Sequence, residues 1–183
     1  MRENVEEAEK HIIERITQTL EASDVKERDQ FMDTILATDK IFIYGVGRSG
    51  LVAKSFAIRL VQLGLKVFFI GETVTPIVEP NDLVIIISNT GQTMSAVQTA
   101  NIVRRVGATV VAITSRDHSK LAHAASVVIH LQTGTADEDS ELAPLGTVFE
   151  DSTQIFLDGI VSNLAKKMGA SESKMRARHS IWV

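Results

Sequence analysis

Two short stretches of this chain carry residues that can together hold a phosphate. The first is Gly45-Val46-Gly47-Arg48-Ser49-Gly50. Ahead of it, Ile41–Tyr44 is β-branched and aromatic, as in a buried strand. Behind it, Leu51, Val52, Phe56, Leu60 and Leu63 recur at a helical period. A strand that passes through a glycine-rich turn into a helix aims free backbone N–H groups and the positive helix end at one point, which suits an anion. Gly47, Arg48 and Ser49 are the candidate ligands there; Arg48 either neutralises the phosphate or pairs with Glu72. The second stretch is Ser88-Asn89-Thr90-Gly91-Gln92-Thr93, dense in hydroxyls, with Gly91 permitting close backbone approach. Ser88, Asn89, Thr90, Gly91 and Thr93 are its candidate ligands, since hydroxyls and helix-terminal N–H groups bind phosphate without a lysine. Each loop alone also fits a plain turn or helix cap. Two of them on one edge of a sheet favour a site.

The first loop also fits Gly-x-Gly-x-x-Gly, the dinucleotide fingerprint, with Glu72 about 20 residues on, where a ribose-binding carboxylate is expected. Against that, no room remains for a substrate domain, and a second hydroxyl-rich loop is not part of the fingerprint. Glu150 lies beside Phe149 near the start of a helix, where an acidic residue favours the helix dipole. His179 ends the basic run Lys174–His179. His11, His118, His123 and His130 read as surface or edge residues; His118 and His123 are off the i, i+4 spacing of a helical metal pair, so no metal site is expected.

The elements that must position these residues alternate. Residues 3–22 predict an amphipathic helix, and Ser23 or Asp24 caps a second one carrying Phe31 and Ile35. Strands are expected at 41–44, 66–70, 83–87, 109–113 and 127–131, and helices at 49–63, 94–106 and 120–125. Gly64 and Gly107 are helix stops. Residues 132–145, with Asp137, Glu138, Asp139 and Glu141, read as a polar loop, and 147–168 as a long helix ended by Gly169. Strands alternating with helices imply an α/β fold, a doubly wound five-stranded parallel sheet with ligands at the strands' carboxyl ends.

At 183 residues and 44% hydrophobic the chain is expected to be one domain. Its parts are N-terminal helices at 1–38, an α/β core at 40–170 and a tail at 171–183. The net charge of −4 argues against a broad nucleic-acid footprint. The lack of cysteine excludes disulfides and thiolate catalysis. Met1–Lys10 lacks the apolar core of a signal peptide, and no apolar run approaches the roughly 18 residues of a membrane span. A soluble, cytoplasmic protein without a membrane partner is the expectation.

Taken in order, Gly45–Gly50, Gly71-Glu72-Thr73-Val74-Thr75-Pro76, Ser88–Thr93, Pro144-Leu145-Gly146-Thr147-Val148-Phe149-Glu150 and Arg178-His179 resemble the sugar isomerase (SIS) family, and within it the 6-phospho-3-hexuloisomerases. The resemblance covers nearly the whole chain. The family's phosphate loop is similar to Ser-Gly-Ser-Gly-x-Thr, so Asn89 stands in place of a glycine. The family tail continues Arg-His-x-Asn-Leu, and here Ile181-Trp182 departs from it. The resemblance implies interconversion of 3-hexulose 6-phosphate and fructose 6-phosphate through an enediolate, with no metal or organic cofactor. Glu150 would be the base and His179 the proton donor. It also implies a homotetramer, and pairing with a 3-hexulose-6-phosphate synthase in the ribulose monophosphate pathway of formaldehyde fixation. Because the tail starts after Gly169, some thirty residues beyond Glu150, His179 is expected to complete a neighbouring subunit's site. The alternatives are an arabinose 5-phosphate type of isomerase, a non-catalytic SIS module that senses a sugar phosphate, and a dinucleotide-binding oxidoreductase fragment.

Overall fold

The computed structural model describes residues 2–134 and 141–179. Asp137, Glu138 and Asp139 of the polar loop, and the closing Ile181-Trp182-Val183, lie outside the described residues. The chain opens with helices α1 (Arg2–Glu21) and α2 (Val25–Leu36), the second capped by Asp24, whose side chain accepts from Lys26 N. There follow β1 (Ile41–Gly45), α3 (Gly47–Leu63), β2 (Val67–Phe69), β3 (Leu83–Ile87), α4 (Met94–Val106), β4 (Thr109–Thr114), α5 (Lys120–Ala124) and β5 (Val127–His130). The long helix α6 (Thr147–Lys167) and the short α7 (Glu172–Arg176) come last.

The five strands form one parallel sheet in the order β2-β1-β3-β4-β5, with Gly45 level with Ile87 and Ile87 with Ile113. Strand residues alternate between two cores. Ile41, Ile43, Ile85 and Val111 pack with Phe31 of α2, Phe56 and Leu60 of α3, and Phe156 and Ile160 of α6. Phe42, Val84, Ile86 and Val110 pack on the other face with Ala96, Ala100 and Val103 of α4 and Leu121 of α5. All five residues of β3 are buried, which is why the strand reads as an unbroken apolar run. Each such side chain contributes roughly 1.5–3 kcal/mol by leaving water.

This two-faced packing positions the site. The chain leaves β1 for one face and the neighbouring β3 for the other. A crevice therefore opens between their carboxyl ends, the switch point where ligands bind in such sheets. Three details differ from the sequence expectation. Helix α3 starts at Gly47 rather than Ser49, because its first turn packs directly on the end of β1: a Cβ on Gly50 would lie 2.6 Å from Gly45 O. The edge strand β2 keeps three residues. The tail contains α7, capped by Ser171, which accepts from Lys174 N at 3.2 Å. Among the described residues no helix is long and apolar enough to cross a membrane.

Candidate active site

Glu150 sits in the first turn of α6 and is only 7% exposed. The turn ahead of it holds Leu145 at φ 62°, an uncommon conformation for leucine, and Gly146 at the helix N-cap. A Cβ on Gly146 would lie 2.6 Å from Glu150 Oε2 and 2.9 Å from Oε1, so only glycine leaves space for the carboxyl group to fold back over its own helix end. Ser49 Oγ donates to Oε1 at 3.2 Å, and Arg48 Nε stands 3.3 Å from Oε2. That approach is ionic: Oε2 is buried and accepts no hydrogen bond. Burial pushes the Glu150 carboxyl above its ordinary range; Arg48 and then Ser49 pull it part of the way back, and Asp151 adds a smaller upward push. A carboxyl raised in this way holds its proton at higher pH than an ordinary glutamate, the direction that suits a group taking and returning protons.

The hydroxyl-rich loop lies beside it. Ser88 is buried and its Oγ donates to Thr93 Oγ1 at 3.3 Å. Gly91, at φ 59°, rests on the β4–α5 connection, where a Cβ would collide with Ser119 Oγ. The Asn89 carbonyl accepts from Ser115 N at 3.0 Å and Thr114 Oγ1 at 2.9 Å. The loop thus has a fixed shape. Neither α3 nor α4 has a side chain capping its N-terminus, and α6 has none either. The first-turn N–H groups of α3 and α4 remain available, and the positive ends of these two helices flank a cavity of about 160 Å³ lined by Ser49, Ser88, Asn89, Thr90 and Thr93. A second cavity of about 140 Å³, lined by Ser115, Arg116, Gly146 and Phe149, shares Asn89 and Thr90 with the first.

The structure therefore brings together Arg48, Ser49, Ser88, Asn89, Thr90, Thr93 and Glu150 around joined cavities, with Gly47 at φ 59° in the turn above. Arg48 faces Glu150 and not Glu72, whose carboxylate takes Lys54 at 3.1 Å instead. His179 is not near Glu150 within the chain. It lines a surface cleft with Arg59, Gln62 and Met175 at the far end of α3. Thr114, Ser115, Ser119 and Gly146 shape the site and were not singled out from sequence. The signal for Thr114, Ser115 and Ser119 there is only position, in the next strand-to-helix connection; Gly146 falls inside the Pro144–Glu150 block of the resemblance without a role of its own. Among the described residues no group of three His, Asp or Glu side chains is disposed to hold a metal ion.

Comparison with known proteins matches this arrangement to a family. The SIS domain model matches residues 34–157. The 3-hexulose-6-phosphate isomerase of Methanocaldococcus jannaschii is 37% identical over 151 residues, covering 82% of this chain and 81% of that protein. The protein of the same name from Bacillus subtilis is 35% identical, covering 85% of this chain and 86% of its own. A solved structure from Methanococcus jannaschii, for which a function of 3-hexulose-6-phosphate isomerase was inferred, superposes with a TM-score of 0.84 at 32% identity, covering 96% of this chain and 97% of that one. By the reach of the family model and the likeness of its fold, the chain belongs to the SIS domain family.

Proposed function

We propose that the protein is a phosphosugar isomerase of the 6-phospho-3-hexuloisomerase type, acting on 3-hexulose 6-phosphate and fructose 6-phosphate. The observation that carries this is the buried Glu150 carboxylate beside a hydroxyl-lined cavity flanked by uncapped helix ends. The names of the relatives from Methanocaldococcus jannaschii and Bacillus subtilis, 3-hexulose-6-phosphate isomerase, support the first of these substrates. The phosphate binds the Ser88–Thr93 loop through hydroxyls and the first-turn N–H groups of α4, with Gly47, Arg48 and Ser49 on the facing edge. Glu150 removes the proton from the carbon beside the carbonyl. The resulting enediolate takes a proton back from Glu150 on the former carbonyl carbon, after partial exchange of that proton with solvent, so the carbonyl moves by one position. A second proton must leave the hydroxyl of the carbon that becomes the new carbonyl and reach the former carbonyl oxygen; His179 of a neighbouring subunit gives a proton to the latter and recovers one from the former, so none is consumed overall.

That last role requires a homo-oligomer, and a tetramer of two-fold symmetry fits. Exposed apolar side chains support an interface: Leu51 and Ile58 on α3, Ile13 on α1 and Ile155 on α6. The working context is the cytoplasm, with a 3-hexulose-6-phosphate synthase supplying substrate. The test is solvent exchange in deuterium oxide over a panel of sugar phosphates. Deuterium entering carbon of fructose 6-phosphate, and not of arabinose 5-phosphate, is the expected result. Binding without exchange would instead mark a sensing module. Exchange confined to arabinose 5-phosphate would move the substrate.

A further inference from the structure

Asn89 lies on the wall between the two cavities, and its side-chain orientation is set by hydrogen-bond counting. Its backbone carbonyl already accepts from Ser115 N and from Thr114 Oγ1, which itself accepts from Arg116 N. Both carbonyl lone pairs are then occupied. The single Ser115 hydroxyl proton is therefore left for Asn89 Oδ1, 2.7 Å away, although Ser115 Oγ also lies 2.9 Å from that carbonyl. This fixes the amide: Oδ1 faces Ser115 and Nδ2 faces the other way. Nδ2 lies 3.1 Å from the point a Cβ on Gly146 would occupy, and Glu150 Oε2 lies 2.6 Å from the same point. Nδ2 donates to no described residue. An unclaimed donor and a buried carboxylate thus meet above one glycine.

We infer that Asn89 donates from Nδ2 to the substrate oxygen on which negative charge develops, and that Ser115 is the positioning residue that holds the amide in that orientation. Asn89 then serves the reacting carbons rather than the phosphate. This inference rests on the isomerase reading above. A donor held ready where an enediolate oxygen forms stabilises the transition state more than the bound sugar, so its loss falls on kcat.

The test is a kinetic cycle on the full chain with fructose 6-phosphate, with inorganic phosphate as a competitive inhibitor. Asn89→Ala is expected to lower kcat roughly tenfold to hundredfold while KM and phosphate inhibition stay within about twofold. Ser115→Ala is expected to lower kcat by less, again at constant KM. The double variant is expected to be no worse than Asn89→Ala alone, because Ser115 acts only through Asn89. Thermal unfolding of each variant checks that the fold persists, and Asn89→Asp, which keeps the size and an acceptor but loses the donor, must show the kcat loss too. Weakened phosphate inhibition with unchanged kcat in Asn89→Ala would make Asn89 a phosphate ligand and overturn the inference. Additive losses in the double variant would remove Ser115. A wild-type protein that exchanges no proton would remove the isomerase reading and this inference together, a result separable from either.

Discussion

The two titratable residues singled out for chemistry lie against opposite ends of α3, Glu150 from α6 and His179 from the tail, and the two ends are different environments. At the N-terminal end, Arg48 and Ser49 face a carboxylate that is 7% exposed, in a crevice ringed by uncapped helix starts. At the C-terminal end the helix stops at Gly64, φ 98°, and Arg178 Nη1 donates to Gln62 O at 3.4 Å. A cation at the negative helix end is favourable and ordinary. His179 lies in the open cleft there. Roughly 20 Å of helix separates Ser49 from Gln62 at 1.5 Å per residue. The first end has the burial and charge that shift a carboxyl toward proton transfer. The second is an open cleft whose lining is mostly charged and polar: Arg59, Gln62, Glu172 and Arg176 beside His179. On the proposed function, the contrast corresponds to a base built within one subunit and an acid delivered by assembly.

The largest effect that can break this contrast is complementation. Glu150→Gln and His179→Ala proteins are each expected to lose roughly 10²–10⁴ in kcat, the share of general acid–base catalysis. Co-assembled, they are expected to recover part of the activity, because some interfaces then pair an intact Glu150 with an intact His179. Intact mixed oligomers that recover nothing would dissolve the division of labour, as would a monomer on sizing.

Next in size, Ser88→Ala and Thr93→Ala are each expected to raise KM roughly tenfold to hundredfold with little change in kcat. A hydrogen bond to a charged phosphate is worth about 1.5–3 kcal/mol. The two hydroxyls bond each other, so the double variant should fall short of the summed loss. Wild-type kinetics in both variants would move the phosphate elsewhere.

A smaller effect concerns pH. Arg48 pulls the Glu150 carboxyl down against burial, so Arg48→Gln is expected to move the acid limb of kcat/KM to higher pH. Stability gives the same information with a definite sign. The folded protein holds the Glu150 proton above the ordinary value of 4.5, so folding is favoured while that proton is bound and weakens as pH rises through the raised value. Glu150→Gln should therefore melt higher than wild type at neutral pH, with the gain vanishing below about pH 4 as both forms become neutral. An unchanged melting difference across pH would mean the carboxyl is not desolvated. Smallest of all, Leu145 is 96% exposed at φ 62°, so Leu145→Gly should stabilise the fold by about 1 kcal/mol. An unchanged melting temperature would show that the turn holds no strain.

The sequence made the fold legible because both faces of the sheet are covered. Leu83–Ile87 and Val110–Ile113 could only be buried strands, and Gly64 and Gly107 end their helices at φ 98° and 90°. The Ser88–Thr93 loop was legible as a candidate site for the same reason: a hydroxyl-rich segment follows a buried strand. The partners of Glu150 were not. Arg48 and Ser49 are about a hundred residues upstream, and the local pattern offered Arg48 the phosphate or Glu72. The contact exists only because α6 packs against α3 in one of the two cores. Gly146 and Ser115 were illegible in another way. Their importance is the space a missing Cβ leaves and the direction of one hydroxyl proton, neither of which has a spacing signature. The short α7 escaped because its one signal, the Ser171 cap, sits in a polar tail with no apolar stripe.

The most direct measurement of the central claim, that Glu150 moves the proton, is deuterium exchange at carbon in fructose 6-phosphate, compared between wild type and Glu150→Gln at saturating substrate. The account predicts exchange by the wild-type protein, and exchange lower by about 10²–10⁴ in a variant that still binds the sugar phosphate with wild-type affinity. Exchange at the wild-type rate by folded Glu150→Gln would contradict it.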